Sequence, residues 1–521
     1  MFRNGQSGLL QGMFSRVAVL LLGLFICTSC THSPLQQHHD HQQRSEQENP
    51  LFNDCKGLFD DVERRIAEAG VVDSEAARIP GHPYLRVNRF LASLRYDVHG
   101  EAFEAWVDQL QKLAFDGLQI ELRNLPVNAG KELQSRLKPT LPGTTTLAET
   151  LQQCSRTLRT KMLDEPAEQA VLREQSVVPS EYKLWQRAVG FYPITALAFR
   201  LGIKRWHVQT LETFRRSLAK LPIAGQLARY VPDQASSLNL TAVAEIIEKS
   251  SLNWLNSPLP SLEDEKRLFD RFAPIFEIDV ASDDDRPGVP TWHGAGKLII
   301  DTTHPAVYRH LSHSRLGKQV LLQLNYTLWF PARTKTTGID LLAGQLDGIT
   351  WRVTLLPDGR PWVFDTIHNC GCYHLFFPSQ YAKKLEQASL LNEPAFTPQQ
   401  QITVDDDKQL VIRIAAGTHY VERVYSLTST PLPTIKYGLL DADDLRSLAL
   451  SDGTRRSLFG EDGLVAGTER AERFLFWPMG IPSPGAMRQW GHHATAFVGS
   501  RHFDDPYLLE QNFGVVQRHT E

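Results

Sequence analysis

The 521-residue chain is poor in the motifs that announce common chemistry. It contains no G-x-x-x-x-G-K-[ST] phosphate loop, no G-x-G-x-x-G turn, no G-x-S-x-G elbow, no C-x-x-C-H haem attachment and no H-E-x-x-H helix. Nucleotide-driven, serine-hydrolase and c-type haem functions lose their usual support. Charge of one sign is also missing: 55 Lys and Arg stand against 59 Asp and Glu, and no long basic tract occurs. Nucleic acid is not an expected partner, because neutralising phosphates takes a concentrated cationic surface. Cysteine is scarce, at six. The apolar run Val17 to Ile26 has only ten residues, too few for an ordinary membrane span.

What that run does have is context. Arg3 and Arg16 precede it, and Cys27-Thr28-Ser29-Cys30 follows. A positive segment, a short apolar segment and small residues describe a secretory signal. The Thr28-Ser29-Cys30 ending resembles the bacterial lipoprotein signal, although Cys27 stands where an aliphatic residue is usual. The resemblance covers these thirty residues and implies removal of 1–29, acylation of Cys30 and a membrane anchor. Thr31 rather than Asp after Cys30 implies the outer membrane, facing the periplasm. Buried acyl chains would supply the affinity, at roughly 0.8 kcal/mol per CH₂. Residues 30–50, rich in Gln, His and charge, then read as a disordered tether.

Beyond the tether the sequence predicts an α+β protein. Residues 51–258 read as an all-α domain: Leu58, Val62 and Ile66, then Phe103, Trp106, Leu110 and Leu113, recur at three- and four-residue spacing. Residues 259–521 read as a domain built on an antiparallel sheet with helical cover. Val320 to Phe330 alternates, and two runs flank the Asp358-Gly359 turn as a hairpin. Two further strands flank Ala416-Gly417.

If Cys27 leaves and Cys30 is acylated, four cysteines remain. Cys55 and Cys154 lie on expected helices and are candidates for a long-range disulfide, the alternative being two buried thiols. The other two fall in HNCGCYH, His368 to His374. Alternation places His368, Cys370, Cys372 and His374 on one strand face, a ligand set suited to zinc or another transition metal. A straight strand would separate the two histidines by ~20 Å at ~3.3 Å per residue, so one ion requires a bend at Gly371. A strained Cys370–Cys372 bridge serving redox exchange and a plain strand end are the alternatives.

His493 and His502 could complete a metal site, and Asp504 or Asp505 could orient a ligand or act as general base. Gln323, Asn325, Arg352 and His368 suggest a polar sheet floor for an anionic or polar ligand, with Arg333 as a charge clamp. His310 and His313 would share a face on a helix. The leading expectation is a lipid-anchored, metal-dependent hydrolase of an envelope component, with an envelope protein or glycan as partner. A non-enzymatic scaffold or ligand-binding lipoprotein, and a thiol–disulfide or metal-handling factor, are the alternatives.

Overall fold

The computed structural model describes residues 50–516, apart from 137–145, 235, 237, 295, 336–337, 339, 387–391, 405–407 and 428–433. The signal segment, Cys30 and the tether lie outside the described residues. The protein is α+β: an N-terminal helical region leads into a ten-stranded mixed sheet that curls strongly into a half-barrel.

The helical region holds α1 (Pro50–Glu68), the hairpin of β1 (Ala77–Ile79) and β2 (His82–Val87), and α2 (Arg89–Leu94). It continues through α3 (Glu101–Asn124), α4 (Val127–Arg136), α5 (Leu147–Asp164), α6 (Pro166–Gln175), α7 (Leu184–Val189) and α8 (Tyr192–Arg215). The expected spacing is realised: Val62, Ile66, Phe103, Trp106 and Leu110 are buried in one core with Leu151 and Leu158 of α5. Thr146 and Glu149 close a reciprocal capping box that starts α5. Cys55 on α1 and Cys154 on α5 are joined by a disulfide, with Cα atoms 5.1 Å apart.

Then come β3 (Gln226–Pro232), α9 (Leu240–Ser250), α10 (Leu262–Phe272), β4 (Ile275–Val280), β5 (Val289–His293) and β6 (Lys297–Asp301). β7 (Ala306–Leu316), β8 (Gln319–Arg333), β9 (Gly344–Leu355), β10 (Pro361–His368) and β11 (Leu375–Pro378) form a continuous antiparallel meander. β12 (Ala382–Lys384), β13 (Leu410–Ile414), β14 (Val421–Ser426) and β15 (Thr434–Asp441) follow. The sheet order is β11-β10-β9-β8-β7-β15-β3-β4-β13-β14.

Two expectations are corrected. The sheet is mixed, because β15 runs parallel to both β3 and β7, and β13 runs parallel to β4. Parallel partners are reached by long connections and leave no turn signature between them. The stretch 51–258 also supplies a sheet strand, β3. It follows Gly225, where a Cβ would come within 1.9 Å of the Val280 carbonyl, so close approach to β4 demands glycine there.

The two faces of the meander differ. Leu322, Leu324, Tyr326, Leu328 and Phe330 of β8 join Ile349, Trp351 and Val353 of β9 in a core with Val243, Ile246 and Phe269 of α9 and α10. The opposite face carries Gln323, Asn325, Arg352 and Asp365, all buried. It is not open to water. Arg352 Nη1 donates to the Phe503 carbonyl at 2.6 Å, and Ser314 Oγ to the Pro506 carbonyl at 2.9 Å, so the C-terminal segment covers it. The anionic-ligand floor expected there is occupied by the chain itself. His310 and His313 lie on β7, a strand, rather than on a helix.

Candidate functional site

HNCGCYH is the turn between β10 and β11. Gly371 has φ +89°, and a Cβ there would come within 2.6 Å of the Ala494 carbonyl oxygen, so only glycine fits. The Gly371 amide donates to the His368 carbonyl at 2.7 Å, and the His368 amide to the Cys372 carbonyl at 3.0 Å. Asn369 pins the bend from inside: its Oδ1 accepts from Thr350 Oγ1 at 2.9 Å and its Nδ2 donates to the Leu328 carbonyl at 3.2 Å.

The bend separates what alternation put together. Leu375 pairs with Thr366, and Phe376 with Asp365. His374 therefore stands with Asp365, Nε2 to Oδ2 2.8 Å, and stacks on Phe376. His368 sits on the other face, with Nδ1 3.6 Å from Asp347 Oδ1, edge-on to Tyr373 and Tyr420. Cys370 and Cys372 carry free thiols. Their mutual hydrogen bond holds the Cys370 thiol below the usual range and, with burial, pushes that of Cys372 well above it.

The other expected ligands go elsewhere. His493 is buried, and burial, reinforced by Arg488, pushes its imidazole down to about 3. His502 packs edge-on against Tyr182 and accepts the Glu181 amide at 3.3 Å. Asp504 pairs with Arg89 of α2 at 3.0 Å, and Asp505 caps the Tyr507 amide at 2.9 Å, so both carboxylates hold the C-terminal segment in place. Among the described residues no three His, Cys, Asp or Glu side chains converge to hold an ion. The residues of the expected metal centre do not fit that role. Arg333 does lie near the turn: it donates to the Tyr420 hydroxyl at 3.0 Å and sits over the Tyr373 and Tyr420 rings.

The space in front of the turn is the notable feature. α8 spans it, and a cavity of about 740 Å³ opens between them. Its wall is mainly apolar: Phe199, Ile203 and Trp206 from α8 face Phe396, Phe476 and Phe497. The aromatic rings brace one another, with Phe199 at 5.0 Å from Phe476 and Phe476 at 5.2 Å from Phe497. Cys372, Tyr373 and His374 form part of the floor. Polar groups are few. Burial raises the Glu472 carboxyl to about 7, against the pull of Arg470 and Arg333. Burial lowers His207, stacked on Phe396 at 3.8 Å, to about 4. Glu393 accepts the Phe497 and Val498 amides and faces Arg501 at 3.4 Å.

A second, smaller cavity of about 180 Å³ adjoins the first. Trp206, Gln209, Tyr373 and Tyr420 belong to both walls. The smaller one is the more polar, with Thr210, Thr366, His368, Thr418 and Glu422 on its wall. Behind it lies a buried relay: His419 sits between Asp347, at 2.8 Å, and Asp285, at 3.4 Å, and stacks on Phe330. These contacts hold the His419 imidazolium above its ordinary range despite burial. No family model, curated protein or solved structure matches this chain.

The site's chemistry is thus read from its own residues. Sequence reasoning reached Arg333, the His368–His374 turn and the helical habit of the α8 segment, and missed α8 as a cavity wall, Glu472, Tyr420 and the His419 relay. A signal for α8 was present: TALAFRLGIKRWHV is apolar on more than one side, which marks a helix with two apolar surroundings. The relay residues, Asp285, Asp347 and His419, come from three segments far apart in sequence and leave no local pattern.

Proposed function

We propose that this protein binds an amphiphile, a molecule with a long apolar body and a small polar end. The observation that carries the reading is the pair of adjoining cavities, one large and apolar, one small and polar, sharing a wall of Trp206, Gln209, Tyr373 and Tyr420. The large cavity is of the size that small-molecule sites use, and sparse, placed polar groups are their usual means of orientation. The apolar body would lie against Phe199, Phe476 and Phe497, and the polar end would reach Thr366, His368 and Thr418. Within this reading the chain is an envelope lipoprotein held through Cys30, and its role is ligand binding rather than metal-dependent hydrolysis. A thiol-exchange role for Cys370 and Cys372 is the second reading, favoured by their free, hydrogen-bonded thiols at the turn.

The test is titration of the full chain with fluorescently labelled palmitate. Saturable binding near one per chain is expected, weakened at least tenfold by Ala198→Trp, which fills the cavity from α8. Bound palmitate should also slow maleimide alkylation of Cys372. Absent binding, or binding indifferent to Ala198→Trp, overturns the proposal.

A further inference from the structure

The outward side of α7 and α8 has a composition that water alone does not explain. Trp185, Phe191, Ile194, Leu197, Leu201 and Phe474 are each between 62% and 72% exposed. Only Ala196 and Phe214 of α8 are buried, and no residue of α7 is. Scattered exposed apolar residues are ordinary, whereas a contiguous patch of large ones marks an interaction site.

Charge narrows the partner. α8 carries four basic residues, Arg200, Lys204, Arg205 and Arg215, and one acid, Glu212. Lys204 and Arg205 are exposed beside the apolar row. The chain as a whole is −4, so the patch is locally cationic on an acidic protein. Exposed Trp, Phe and Leu with Lys and Arg alongside is the composition of helices that lie in a bilayer interface, where apolar side chains enter the acyl boundary and cations meet anionic headgroups. No helix among the described residues is long and apolar enough to cross a membrane.

The patch also joins the cavity. Ala198 and Gly202 of α8, and Leu475, are exposed and at the same time part of the large cavity's wall. These residues join the exposed side of α8 to the cavity wall.

We propose that α7, α8 and the Phe474–Leu475 corner dock on an anionic bilayer surface, so that the cavity mouth opens against lipid. The docking rests on the exposed face and its charge. The amphiphile reading above only says what would pass through the mouth.

The experiment uses the full chain with phosphatidylglycerol vesicles whose acyl chains are brominated, which quench tryptophan on contact. Wild-type emission should lose a component that Trp185→Phe lacks. Lys204→Glu combined with Arg205→Glu should reduce that component at least threefold, and phosphatidylcholine vesicles should give less of it. Because the readout is local to Trp185, it is independent of any anchor at Cys30. Equal quenching in wild type and Trp185→Phe overturns the proposal. So does a concentration-dependent dimer in vesicle-free solution that Leu197→Asp abolishes, since a second copy would then be the occupant. Palmitate titration without vesicles separates the two ideas: binding retained while quenching fails removes the docking and leaves the cavity.

Discussion

Asp365 shows how a single side chain sets the character of the site. It is fully buried and makes a two-point contact with Arg352, at 2.9 and 2.6 Å, while also receiving His374 at 2.8 Å. Arg352 and His374 together hold its carboxyl below the ordinary carboxylate range, against the opposing effect of burial. Removing one member of such a buried pair leaves an uncompensated charge, a loss of about 3–5 kcal/mol. Asp365→Asn should lower unfolding free energy by that amount in urea titration, and Asp358→Asn, on an exposed turn, should change it by less than about 1 kcal/mol. Asp365 itself was not legible as a site residue. HNCGCYH was, and its bend at Gly371 was the condition that strand geometry imposed on any shared chemistry. The outcome of that bend was not legible, because it depends on Ala494 packing against the turn, and on Thr350 and Leu328 anchoring Asn369, all from distant segments.

At the scale of elements, α8 and the corner at Glu472 face each other across the large cavity. Glu472 titrates at about 7 because burial disfavours its ionised form. Below pH 7 the Glu472 carboxyl is mostly neutral, and above it adds a negative charge to a mainly apolar chamber. Affinity for an anionic amphiphile such as labelled palmitate should therefore fall roughly tenfold as pH rises from 6 to 8. Glu472→Gln should flatten that dependence. A wild-type profile as flat as the variant's would show that Glu472 does not face the ligand. The hairpins at Asp358-Gly359 and Ala416-Gly417 were readable from local turn chemistry and alternation. The parallel strands and the position of α8 were not, because they are decided by partners more than a hundred residues away.

Across the whole molecule, buried neutral histidines set the response to acid. Burial lowers His313, His374 and His502 to about 4 and His493 to about 3, below the unfolded value near 6.5. Above pH 6.5 these rings are neutral whether folded or not and cost nothing. As pH falls from 6.5 through 4 the unfolded chain takes up protons the folded one refuses, and stability is lost. His419 and His492 are shifted upward by their carboxylate partners and act in the opposite sense. Glu75 and Glu472, whose carboxyls burial raises to about 8 and about 7, also oppose the lowered histidines. The lowered histidines should steepen the decline of urea midpoints from pH 6.5 to 4, each by up to about one proton taken up on unfolding. His374→Gln should make the slope shallower by about one proton. A slope unchanged in His374→Gln would contradict the burial of that ring.

One strand has a consequence for how the chain is assembled. Residues 434–437 of β15 pair with β3 and residues 438–441 with β7, so this one segment sews the two halves of the half-barrel together. It emerges late in synthesis, after both halves it must join. Until then the edges of β3 and β7 are unpaired templates for wrong partners. The closing step is a non-local parallel pairing, the slowest kind to form. Folding would then pass through a long-lived, half-closed intermediate whose two halves are joined only when the last strand arrives.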